Sequence, residues 1–173
     1  EYNDDELKEI NYIRSFQSKY PNAKIGLVIA MTSLRESIKN YIKRRFQVEL
    51  NLNQITPTLG SKEAIYSSTI LFQGNPEKNI IIGMEPGYFV MQKSAELHGF
   101  KYFGYALSEK NNYQLDLSTL DEEILKKTVA VWIIYPSNPL GIEVDKKYLE
   151  KQIEICKKYE IYLCSDETYV DFY

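Results

Sequence analysis

The chain has 173 residues, a net charge of −3, 44% hydrophobic residues, two cysteines and one histidine. That length suits one globular domain with a short extra segment. The weak acidity, the lack of any 18-residue apolar run and the solitary His98 argue against a nucleic-acid binder, a membrane-spanning chain and a multi-histidine metal site. Cys156 and Cys164 have no metal-like spacing and read as packed thiols, which fits a reducing, cytoplasmic setting. The acidic opening is unlike a signal peptide.

In chain order, Leu7, Ile10, Ile13 and Phe16 predict a helix over residues 4–19, capped by Asn3 or Asp4. Residues 25–31 are apolar without a clear period. Ser33-Leu34-Arg35-Glu36 has the spacing of a capping box and opens a second helix, with Leu34, Ile38, Tyr41 or Ile42, and Phe46 on its inner face. Lys43-Arg44-Arg45 closes it, where the helix dipole favours cations. Gly60-Ser61-Lys62 is a turn that opens a third helix, whose inner face is Ala64, Ile65, Ser68 and Leu71 or Phe72. Such a turn offers backbone N–H groups to an anion, and it equally fits an ordinary loop-to-helix junction.

Residues 79–83 predict a short buried strand, followed by Glu85-Pro86-Gly87-Tyr88 and a helix over residues 89–97. A strand over residues 100–106, a loop over 111–116 and a short helix over 120–127 with Ser118 as cap come next. Residues 129–135 form the strongest strand and end in Pro136-Ser137-Asn138-Pro139-Leu140-Gly141. A helix over residues 145–160, with Leu149, Ile153 and Cys156 inward, leads to a last strand ending in Ser165-Asp166-Glu167-Thr168-Tyr169. Strands separated by helices of 10–15 residues indicate an α/β fold with a mostly parallel sheet covered on both faces.

The polar residues at the strand exits form a pattern. Tyr88 fits a plate for a planar ring or a core tyrosine. Asn138 fits a ligand contact or a turn former, and Asp166 a ligand contact or a helix cap. Taken together, the four stretches at Gly60, Glu85, Tyr135 and Ser165 resemble the cofactor half of a pyridoxal-phosphate-dependent aminotransferase of fold type I, class I and II. The resemblance runs from about residue 33 to residue 173, so residues 1–32 read as an N-terminal helix and loop, and 33–173 as an incomplete large domain.

The resemblance implies a set of roles. Gly60, Ser61 and Lys62 hold the phosphate of pyridoxal 5'-phosphate, and Tyr88 stacks on its ring. Asn138 and Tyr169 bind the phenolic oxygen, and Asp166 pairs with the ring nitrogen. Asp166 and Tyr169 are the catalytic candidates here. The Schiff-base lysine of the family lies further along than residue 173, and Lys62 does not replace it, so the chain alone is expected to be inactive. Tyr20 is the candidate for the tyrosine that reaches a partner's phosphate in a homodimer. Asn138-Pro139-Leu140-Gly141 stands where the family usually has threonine in place of Leu140. The implied reaction moves an amino group between an amino acid and a 2-oxo acid. The stretch around Gly60 most resembles bacterial enzymes of diaminopimelate and lysine synthesis, such as the succinyl-diaminopimelate aminotransferases, with aspartate-family enzymes on the same scaffold. A fold type I lyase, an aminocyclopropane-carboxylate synthase and a non-catalytic sensor domain share the same half.

Overall fold

The computed structural model describes residues 32–172. The expected first helix, residues 25–31 and Tyr20 lie outside them. The chain divides into two compact units between Leu59 and Gly60.

In the first unit, α1 (Thr32–Phe46) starts one residue before the expected cap Ser33 and ends in Lys43, Arg44 and Arg45. Two side chains expected inside, Leu34 and Phe46, are exposed. The described element packed on α1 within this unit is the single turn Leu52–Gln54, which is too small to cover a full apolar stripe.

The second unit is built on four parallel strands: β1 (Ile80–Glu85), β2 (Lys101–Ala106), β3 (Thr128–Ile134) and β4 (Tyr162–Asp166). Their spatial order is β2-β1-β3-β4, with β1 paired to both β2 and β3. Every residue of β3 is buried, as its apolar run from Val129 to Ile134 requires, and the hydroxyl of the buried Thr128 donates to Ile124 O. Ile81, Ile82 and Met84 of β1 complete the sheet's core.

Helices connect the strands. α2 (Ser61–Thr69) runs into a short 3-10 turn, Ile70–Phe72, and α3 (Phe89–Leu97) joins β1 to β2. α4 (Glu122–Lys127) precedes β3, and α5 (Lys146–Lys158) joins β3 to β4. The β1-α3-β2 and β3-α5-β4 crossovers run in opposite directions across the sheet. Since such crossovers are right-handed, α3 and α5 lie on opposite faces. α2 packs on α3 through the Ser94 hydroxyl, which donates to Thr69 Oγ1 at 2.8 Å. Of the two alternatives for the end of α2, Phe72 is buried and stacks on Tyr162 at 5.4 Å, while Leu71 is exposed.

On the α5 face, polar groups hold the loop before α4. Tyr148 donates to Leu115 O at 2.6 Å, and Leu115 N–H donates to the Tyr135 hydroxyl at 3.1 Å. Burial, with Tyr135 beside it, raises the Tyr148 phenol far above its usual range, so it stays a donor. Gln152 is 1% exposed and accepts from Leu117 N–H at 3.0 Å. Ile153, expected inside, is exposed instead. The loop's backbone N–H needs a buried acceptor, so the helix turns Gln152 inward.

Ser118 does not cap α4. It lies in a 3-10 turn, Leu117–Thr119, whose cap is Asp116, and Asp121 stands at the N-terminus of α4. Two hydrogen bonds to Asp116 draw Ser118 into that earlier turn: its N–H and hydroxyl both donate to Asp116 Oδ1. Asp145 caps α5 by accepting from Tyr148 N–H at 2.7 Å.

Gln152→Leu keeps the bulk but leaves Leu117 N–H without its acceptor, a loss of about 1–3 kcal/mol. Urea unfolding is expected to show that drop, with the exposed Glu154→Gln as an unchanged control. Both cysteines are unpaired, and burial pushes the Cys156 thiol up to about 11 and Cys164 up to about 12. Because the thiolate is the reactive form, neither is expected to react with a disulfide reagent in mildly alkaline buffer until the protein is unfolded.

Candidate active site

In the order β2-β1-β3-β4 the chain leaves β1 towards one edge of the sheet and β3 towards the other. The switch point therefore lies between the carboxyl ends of β1 and β3, where ligands bind in open α/β sheets. Tyr88 follows β1, Asn138 follows β3 and Asp166 ends β4, so three of the expected residues come to this one edge. Ser61, at the first position of α2, joins them.

Ser61, Tyr88, Asn138, Asp166, Thr168 and Tyr169 line a single cavity of about 90 Å³, floored by Ile134. Larger clefts of about 680 and 660 Å³ exist. They open near Val129 and Ile161 and near Ile80 and Lys101, at the amino ends of the strands. Volume favours those clefts. The topology and the polar chemistry favour the small one, because the ligand edge of a parallel sheet is the carboxyl edge.

Each wall has a local cause. Gly60 has φ +88°, a conformation that L side chains rarely adopt, and this lets the chain turn sharply into α2. The first N–H groups of a helix have no acceptor within it, so Ser61 and Lys62 begin a place where an anion is favoured. Ser61 lines the cavity. Gly60 and the exposed Lys62 are its chain neighbours and are not among the lining residues.

After β1, Gly87 is forced. A Cβ there would collide with the Met84 carbonyl oxygen, so only glycine lets the turn fold back and set Tyr88 at the head of α3. Tyr88 is half-buried, with Phe89 edge-on at 5.6 Å.

After β3, the buried Ser137 folds the turn. Its N–H donates to Ile142 O at 2.9 Å, its carbonyl accepts from Gly141 N–H at 2.8 Å, and its hydroxyl accepts from Ile142 N–H at 2.9 Å. This turn presents Asn138, whose amide donates to the Tyr169 hydroxyl at 3.2 Å. The replacement of threonine by Leu140 thus leaves a closed turn, because Ser137 supplies its bonds.

Asp166 is half-buried, and its Oδ1 accepts from both the N–H and the hydroxyl of Thr168. Sequence reasoning missed Thr168, Ser137 and Gly87. The signal for Gly87 was its place in a four-residue strand exit, and for Ser137 its position between two prolines.

The sequence model of the family "Aminotransferase class I and II" matches residues 6–173. The chain belongs to this family. An LL-diaminopimelate aminotransferase 2 of Nostoc sp. is 34% identical, over 78% of this chain and 35% of the relative. An LL-diaminopimelate aminotransferase of Aquifex aeolicus is 30% identical, over 88% of this chain and 39% of its own length. Among solved structures, the aminotransferase AspB of Helicobacter pylori superposes with a TM-score of 0.76 at 26% identity, covering 83% of this chain and 37% of that one. The chain therefore spans little more than a third of the length of these class I and II aminotransferases. The cofactor of the family is pyridoxal 5'-phosphate.

Ser137→Ala is expected to leave Ile142 N–H without its side-chain acceptor and to lower stability by about 1–2 kcal/mol. Limited proteolysis would then find the segment around residues 136–142 cut sooner than in the unaltered protein.

Proposed function

We propose that the protein to which this chain belongs is a pyridoxal-phosphate-dependent aminotransferase, and that the cavity at the β1/β3 switch point holds the cofactor. The observation that carries this reading is the convergence of four kinds of group on one small cavity: a helix N-terminus at Ser61, the Tyr88 ring, the bonded Asn138–Tyr169 pair and the Asp166 carboxylate.

The donor set suits pyridoxal phosphate. A phosphate needs N–H and hydroxyl donors, which the Gly60-Ser61-Lys62 turn offers. A flat ring needs an apolar plate, which Tyr88 offers. A phenolic oxygen needs donors, which Asn138 and Tyr169 offer, and a pyridine nitrogen that is to stay protonated needs a carboxylate, which Asp166 offers. When bound, pyridoxal phosphate supplies an electron sink for the charge left when an amino acid loses its α-proton.

The roles of the chain's own residues follow. Asp166 keeps the proton on the ring nitrogen, because an adjacent negative charge favours the protonated form. Asn138 and Tyr169 orient the ring through its phenolic oxygen, and their mutual bond holds them in position beforehand. Tyr88 covers the ring and keeps water from it. Residues 33–173 would then be part of the cofactor-binding large domain.

The diaminopimelate aminotransferase names of the relatives support an amino-acid donor and a 2-oxo acid acceptor, in diaminopimelate, lysine or aspartate-family metabolism. Among the described residues no helix is long and apolar enough to cross a membrane. We place the enzyme in the cytoplasm and expect a homodimer.

The test is a transamination assay on the full-length protein, with a panel of amino donors and with 2-oxoglutarate and glutamate as partners. The reading requires a matched 2-oxo acid and amino acid product, whereas ammonia release without amino-group transfer would point to a lyase. Asp166→Ala is expected to lower the rate of transfer by on the order of 10²-fold or more, the scale of one preorganised electrostatic contact. Tyr169→Phe is expected to weaken cofactor binding about tenfold, the scale of one hydrogen bond.

A further inference from the structure

Asp166 is held by its own neighbour. Its Oδ1 accepts from Thr168 N–H at 3.1 Å and also from the Thr168 hydroxyl. An ionised carboxylate has two oxygens with about four lone-pair sites between them. Here one oxygen is occupied by two donors from a single residue, so Oδ2 is left as the acceptor for a ligand. Thr168 lines the same cavity as Asp166, so the clamp acts at the site itself. The backbone N–H of any residue at position 168 can make the first bond. The second needs a hydroxyl on that side chain.

We propose that Thr168 is a positioning residue: its hydroxyl fixes the Asp166 carboxylate so that Oδ2 faces the cofactor's ring nitrogen and keeps it protonated. This rests on the cofactor reading given above. A carboxylate tied at one oxygen by two bonds has lost most of its rotation before the ligand arrives, and a preorganised contact loses less on binding than a mobile one. Removing the hydroxyl leaves a single bond at Oδ1 and frees the group to turn. The side chain of Thr168 is exposed, so its replacement leaves the fold intact.

The test uses the full-length protein reconstituted with pyridoxal phosphate carrying an isotopically labelled ring nitrogen. The variants are Thr168→Val, Thr168→Ser and Asp166→Asn. Nitrogen NMR near neutral pH reads protonation, and equilibrium dialysis reads cofactor affinity. We expect Thr168→Val to shift the ring-nitrogen signal towards the unprotonated position and to weaken binding about tenfold, the scale of one hydrogen bond to a charged group. Thr168→Ser, which keeps the hydroxyl, is expected to restore both.

An unchanged nitrogen signal in Thr168→Val, with Asp166→Asn shifted, overturns the positioning role and leaves the cofactor reading standing. A signal that moves in neither variant overturns the cofactor reading, and the positioning role falls with it. A loss of affinity that serine does not rescue also overturns the role, because the hydroxyl is then not the cause.

Discussion

The second unit depends on the pairing of β1 with β3. These neighbouring parallel strands send the chain in opposite directions, and that divergence opens a crevice at their carboxyl ends. β3 secures the arrangement because it is buried along its whole length, between β1 on one side and β4 on the other. Burying a Val or Ile side chain contributes about 1.5–3 kcal/mol. Moving β3 out of this place would expose several at once. The strand exits are thus held in position by apolar burial, and the polar residues on them need only short turns to reach one cavity.

Each short turn is settled by a residue with few alternatives. Gly87 leaves no room for a side chain against Met84, so Tyr88 arrives at the head of α3. Ser137 closes a turn with both backbone groups and its hydroxyl, so Asn138 meets Tyr169. The placement of the site is inherited from the sheet, whereas its precision comes from these local bonds.

The sequence made the strands and their order of exits plain, because a run such as residues 129–135 has no other comfortable place than a buried sheet. The helix over residues 145–160 was equally plain, since its period is local, and the structure adds Asp145 as its cap. What stayed hidden depended on partners distant in sequence. Gln152 faces inward because Leu117 N–H, 35 positions away, needs an acceptor, and nothing in the helical period marks it. Leu34 and Phe46 follow the period of a buried face and are nonetheless exposed, since periodicity says which residues share a face and not what covers it. Asp121 stands where Ser118 was expected as a cap, because Asp116 holds Ser118 in the preceding turn. The candidate site was legible as three strand exits and one helix start, while Thr168 carries no signal of its own in the sequence.

A crystal structure of the full-length protein with pyridoxal phosphate bound would locate the cofactor outright. The account predicts the ring against Tyr88, its nitrogen facing Asp166, its phenolic oxygen near Asn138 and Tyr169, and its phosphate at the Ser61 turn. A cofactor found elsewhere, such as the larger cleft near Val129 and Ile161, or one whose nitrogen faces away from Asp166, would contradict it.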